Sequence, residues 1–93
     1  MTQQIEYNGK TIKMPFAIQP ENLNIERTVV TNEYSNQQTF LPSFAVAVYE
    51  TIKRQEQIAN HDYLLRDQAY KNMRKGLNWF QKYFTDQYFT LLD

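Results

Sequence analysis

The sequence contains no cysteine. Disulfide bridges, thiolate metal ligands, thioredoxin-like redox chemistry and cysteine nucleophiles are therefore all excluded, and a reducing compartment suits the chain. Glycine is nearly missing too. Gly9 and Gly76 stand alone, so neither G-x-G-x-x-G nor G-x-x-x-x-G-K-[ST] occurs and the familiar phosphate-cradling loops are ruled out. The one histidine, His61, stands beside Asp62 without an H-E-x-x-H motif or a calcium-loop spacing, so it defines no metal site. Glu50 and Glu56 are six residues apart and face away from each other on a helix, which offers no local carboxylate pair for acid–base work. A protein that is not an enzyme, with neither cofactor nor metal, is expected.

An excess of charge is also lacking: ten Lys plus Arg balance ten Asp plus Glu, so net charge directs the chain to no nucleic acid, membrane or acidic partner. No run approaches the ~18 apolar residues of a membrane span, and Met1 to Met14 lacks the apolar stretch of a secretory signal. A cytoplasmic protein with no membrane partner is the expectation.

What the chain does have is size and apolar content for one core: 93 residues, 42% hydrophobic and 22% charged, predict a single domain over 1–93. Aromatic residues reach 15%, and side chains of that size contribute strongly to cores and interfaces. Ten Gln and eight Asn add a marked amide bias, read as uncharged surface solubility.

Alternating apolar and polar residues flank Asn8-Gly9, the dipeptide suited to a type I′ turn, which predicts a β-hairpin pairing about 3–7 with 10–14. Pro15 and Pro20 bracket a connecting segment. Ile25, Thr28 and Val30 predict a third strand over 25–31, closing a β-rich segment of 1–31, and the polar run that follows reads as a loop over 32–41. From Pro42 the apolar positions 44, 45, 48, 49 and 52 predict a helix over 42–59. Asn60 and His61 break it, Asp62 caps the next, and Leu65, Ala69, Met73, Leu77, Phe80 and Phe84 form the apolar stripe of a helix over 62–84. A break so short predicts an antiparallel helix hairpin, followed by one last turn capped by Thr85 or Asp86. The fold class expected is thus α+β. Gly76, at about 1 kcal/mol less favourable than alanine inside a helix, predicts close approach of the first helix, or of a partner, there.

Two surfaces compete as candidate sites. Trp79, Tyr83, Phe84, Tyr88, Phe89, Leu91 and Leu92 crowd fourteen residues with large apolar side chains, of which Trp79, Tyr83, Phe84, Tyr88, Phe89 and Leu92 are the protein-interface candidates. Phe84, Tyr88, Phe89 and Leu92 are expected to be buried, on the N-terminal strands or in a homodimer. The alternative is nucleic acid: residues 53–82 hold seven basic groups against three acidic ones. Lys71, Lys75, Asn78 and Lys82 fall on one stripe opposite the apolar face, with Arg66 and Arg74 on its flank beside Tyr63 and Tyr70.

Val30-Thr31-Asn32-Glu33-Tyr34-Ser35, then Leu41-Pro42 with Ala45-Val46-Ala47-Val48-Tyr49-Glu50-Thr51-Ile52, then Arg74-Lys75-Gly76-Leu77-Asn78-Trp79-Phe80-Gln81-Lys82-Tyr83-Phe84 before Leu91-Leu92-Asp93, together form a pattern over about 30–93. That pattern resembles small hypothetical proteins of tailed bacteriophages. The resemblance implies a phage context and carries no activity, cofactor or catalytic residue; with the missing signal and span, a phage accessory protein in the host cytoplasm is expected. The leading expectation is action through a protein partner, a host factor or a second copy of the chain.

Overall fold

Asn8 and Gly9 take positive φ values of 51° and 78°, the backbone that a tight two-residue hairpin turn needs. In the computed structural model, which describes residues 3–92, they join β1 (Gln4–Tyr7) to β2 (Lys10–Lys13) with Ile5 opposite Ile12. The ends of the expected domain, Met1, Thr2 and Asp93, lie outside the described residues. Met14 N donates to Gln3 O at 2.9 Å, carrying the pairing one residue beyond the two strands to the predicted bounds. The Gln3 side chain then acts as a further strand partner. Its Oε1 accepts from Ile18 N at 2.8 Å and its Nε2 donates to Ile18 O at 2.9 Å, which ties the proline-bracketed segment to the hairpin.

The predicted third strand is present as β3 (Arg27–Thr31), but the last four residues of the expected 32–41 loop are not loop. Residues β4 (Gln38–Pro42) pair antiparallel with β3, from Arg27 opposite Pro42 to Thr31 opposite Gln38, making a second, separate two-stranded sheet. Glutamine and threonine reach into this strand because much of it faces solvent, where polarity carries no burial cost. Only residues 32–37 turn. Asn32 Oδ1 accepts from Tyr34 N and Ser35 N, and Asn36 adopts a φ of 61°, a conformation asparagine tolerates.

β4 leads straight into α1 (Ser43–His61), with Pro42 as the extended residue before the first turn rather than inside it. One of the helix's free entry amides is met by the preceding segment, Phe44 N donating to Asn24 O, and the Ser43 hydroxyl ties the same end to Glu26 O. Asn60 and His61, expected as a break, continue the helix; the chain leaves it at Asp62. Asp62 caps as predicted, its Oδ1 accepting from Leu64 N at 3.0 Å and Leu65 N at 3.3 Å. What it caps is a single 3₁₀ turn, Tyr63–Leu65, before α2 (Arg66–Tyr83).

Cross-helix pairs establish the antiparallel packing of α1 and α2. Arg66 Nε reaches Ala59 O, Asn72 Nδ2 reaches Gln55 Oε1, Gly76 lies against Ile52, and the Phe80 ring sits 6.5 Å from that of Tyr49. One helix ascends in number as the other descends. A Cβ on Gly76 would stand 2.5 Å from Ile52 Cγ1 and 3.3 Å from Phe16 Cε2, so the close approach read from this glycine is real. After Phe84 the chain forms α3 (Thr85–Leu91), longer than the one turn expected and without a side-chain cap. The Thr85 hydroxyl bonds back to Gln81 O at 2.7 Å instead, a local alternative that threonine commonly takes.

Both hairpins and all three helices contribute to one core, with Leu41, Phe44, Val48, Ile52 and Phe80 its largest fully enclosed side chains. Phe44 is the meeting point of its aromatic part, 5.3 Å from the ring of Tyr7, 5.9 Å from Phe84 and 6.1 Å from Trp79. Trp79 Nε1 donates to Lys13 O at 2.8 Å, bonding α2 to β2.

Candidate interaction surfaces

Two of the six interface candidates are not surface residues. Trp79 and Phe84 are each 6% exposed, enclosed by Phe44 and by Tyr7 of the N-terminal hairpin. Their aromatic mass completes the chain's own core. Tyr83 is half-buried against Trp79 with the Lys82 ammonium 5.0 Å from its ring centre, and Tyr88 and Leu92 are half-buried on the core's edge. Phe89, expected to be buried, is 56% exposed because it points away from the side of α3 that carries Leu91 into the core. The tail is held to the second hairpin by Asn32 Nδ2 donating to Thr90 O at 2.8 Å.

Beside that contact, Ile52, Met73, Leu77, Leu91 and Leu92 form the apolar wall of a cleft of about 380 Å³, with Lys53 and Glu56 on its rim. Tyr49 belongs to the same region. Burial pushes its phenol above the usual value, Lys53 acts against that rise, and Glu33 and Glu56 add to it.

One exposed apolar cluster, with Leu64 the most exposed large apolar side chain among the described residues, was not read from the sequence. Tyr63, Leu64 and Leu65 are 79%, 89% and 52% exposed at the tip of the helix hairpin. Leu65, expected in the core stripe, precedes the first turn of α2 and has no opposing helix to cover it. The tip is firmly held nonetheless: Asp62 binds two of its amides, Arg66 Nε donates to Ala59 O at 3.1 Å, and the Arg66 guanidinium lies 5.6 Å from the Tyr63 ring centre. Three consecutive large residues following a cap were the available sequence signal. On the second sheet, Val29 and Phe40 are a directly paired, half-exposed couple, and Arg27 covers part of it 4.5 Å from the Phe40 ring centre.

The basic residues lie where periodicity put them. Lys71, Arg74, Lys75, Asn78 and Lys82 are all exposed on the side of α2 away from Ala69, Gly76 and Phe80, while Arg66, exposed too, reaches back to Ala59 of α1. His61 is exposed at the end of α1, and Glu50 and Glu56 stay on separate parts of that helix's surface.

These features define an α+β domain of two β-hairpins and three helices, with a rigid apolar tip and a basic helix face. The chain matches no protein-family model, no curated protein and no solved structure.

Proposed function

We propose that this is a non-enzymatic accessory protein of a tailed bacteriophage, acting in the host cytoplasm by binding another protein, a host factor or a second copy of itself. The observation that carries the reading is the tip Tyr63-Leu64-Leu65. Its backbone is preorganised by Asp62 and Arg66, while its side chains support none of the fold's packing. Burying a leucine or tyrosine of this kind against a partner is worth roughly 1.5–3 kcal/mol, and a held turn loses little entropy on docking. The apolar cleft beside α3 is a second place for a partner side chain. The phage setting rests on the resemblance over residues 30–93. The non-enzymatic reading is supported by the scattering of His61, Glu50 and Glu56 over separate surface positions. Among the described residues, no helix is long and apolar enough to cross a membrane.

The test is Leu64→Asp. Light scattering and nuclease-treated affinity capture from host lysate, run on both proteins, should show an assembly or a bound protein with the wild type that the variant loses at unchanged melting temperature. An identical mass and an identical captured set would refute the tip as the binding element.

A further inference from the structure

Tyr70, Lys71, Arg74, Lys75 and Asn78 line a depression of about 400 Å³ on the outer face of α2, and no carboxylate is among them. The recorded side-chain hydrogen bonds of α2 run elsewhere: Arg66 to Ala59, Gln68 to Asn72, Asn72 to Gln55, Trp79 to Lys13. Tyr70 is 50% exposed in the midst of three cations. A partner here must bring negative charge at several points and a flat apolar group for the ring. Lipid headgroups supply the first only. A duplex keeps its base faces stacked inside, whereas a single strand presents phosphates and unstacked bases together.

We propose that this face binds single-stranded nucleic acid, with Lys71, Arg74 and Lys75 on phosphates and Tyr70 stacked on a base. The Asn78 amide carries both a donor and acceptors for a base edge. From Tyr70 to Asn78 the helix rises about 12 Å, the length of roughly two extended nucleotides. The site is separate from the Leu64 tip and stands or falls independently of it.

Fluorescence anisotropy of the full chain with labelled twenty-nucleotide oligothymidylate and oligouridylate tests it. Three phosphate contacts at about −0.7 each give a slope near −2 in log affinity against log salt, so affinity should fall roughly twenty-fold from 50 to 200 mM. Lys71→Glu with Lys75→Glu should abolish binding, and Tyr70→Ala should weaken it about tenfold at unchanged salt slope. Circular dichroism checks the fold, and should the double reversal misfold, the neutral set Lys71→Gln, Arg74→Gln and Lys75→Gln replaces it. Preference for either oligomer assigns the source to RNA or DNA and supports the site. Failure of both to bind at 50 mM, or retained affinity in the folded charge variants, overturns it. Displacement by polyglutamate as effective as by unlabelled oligomer also overturns it, in favour of an acidic protein.

Discussion

A methyl group added at Gly9 would meet nothing within 4 Å, whereas one added at Gly76 would press on Ile52 Cγ1 at 2.5 Å and Cδ1 at 2.8 Å. Gly9 is needed for its φ of 78°, Gly76 for the space its missing side chain leaves. Ile52 is 1% exposed, so its side chain would have to shift against its core neighbours. Gly76→Ala should therefore destabilise by about 1–3 kcal/mol in urea unfolding, despite alanine's better helix propensity. In an Ile52→Ala background the clash is gone, and the same change should be neutral or stabilising by up to about 1 kcal/mol. Equal effects in both backgrounds would show that Ile52 is not the obstacle. Tyr49 makes a pH prediction. Because burial raises its phenol, the folded chain keeps a proton that the unfolded chain releases near the usual value, so this stabilisation is full below about pH 10 and is lost as pH climbs through the raised value. Melting temperature should fall on alkaline titration, and Tyr49→Phe should blunt the fall; unchanged alkaline sensitivity in that variant would contradict the assignment.

Among the elements, the turn between α1 and α2 depends on one carboxylate more than on packing. Asp62 accepts from two amides of the 3₁₀ turn, while the side chains of that turn contribute no buried residue. Asp62→Ala should cost about 1 kcal/mol of stability, measured by denaturant unfolding, and should raise amide exchange at Leu64 and Leu65 while leaving the centre of α2 protected. Protection spread evenly over both regions would argue against the cap. If the tip docks a partner, the same variant should also weaken that docking, because a frayed turn must be reordered on binding. The second hairpin behaves differently. It is secured through Asn32 to α3 and through its entry into α1, so its turn is an Asx turn fastened by tertiary contact.

At the scale of the whole molecule, neutrality conceals segregation. The basic groups of α2 share an outer face while its opposite face enters the core, and the apolar tip projects from the same helix hairpin. The two sheets share no strand pairing; the helices bridge them, with Phe44, Trp79 and Phe84 connecting the first hairpin to the helical layer. Core and exposed apolar surface are thereby separated. Most aromatic residues are buried or half-buried, and the large apolar side chains left outside include the tip, the Val29–Phe40 couple, Ile25, Tyr34, Tyr70 and Phe89.

Local chemistry was sufficient for the features that one or two residues decide. Asn8-Gly9 specifies its turn through φ, Asp62 specifies its cap through a short side chain, and helical period separates Lys71 and Lys75 from Ala69 and Phe80. The antiparallel helix pair follows from the shortness of its connection, and Gly76 announces the contact between those helices. Strand β4 was not legible, because its strand formers Thr39 and Phe40 are only two, set after a polar run, and specify no strand until β3 lies beside them to pair. Nor could composition say whether Trp79 and Phe84 serve a partner or the core. That depends on Tyr7 and Lys13, more than sixty residues away, whose ring and carbonyl complete the enclosure. Leu65 shows the converse: it has the right residue type and the right period, but lies where α1 has already ended. Periodicity assigns a residue to a side of its helix, and only the fold decides whether anything stands opposite that side.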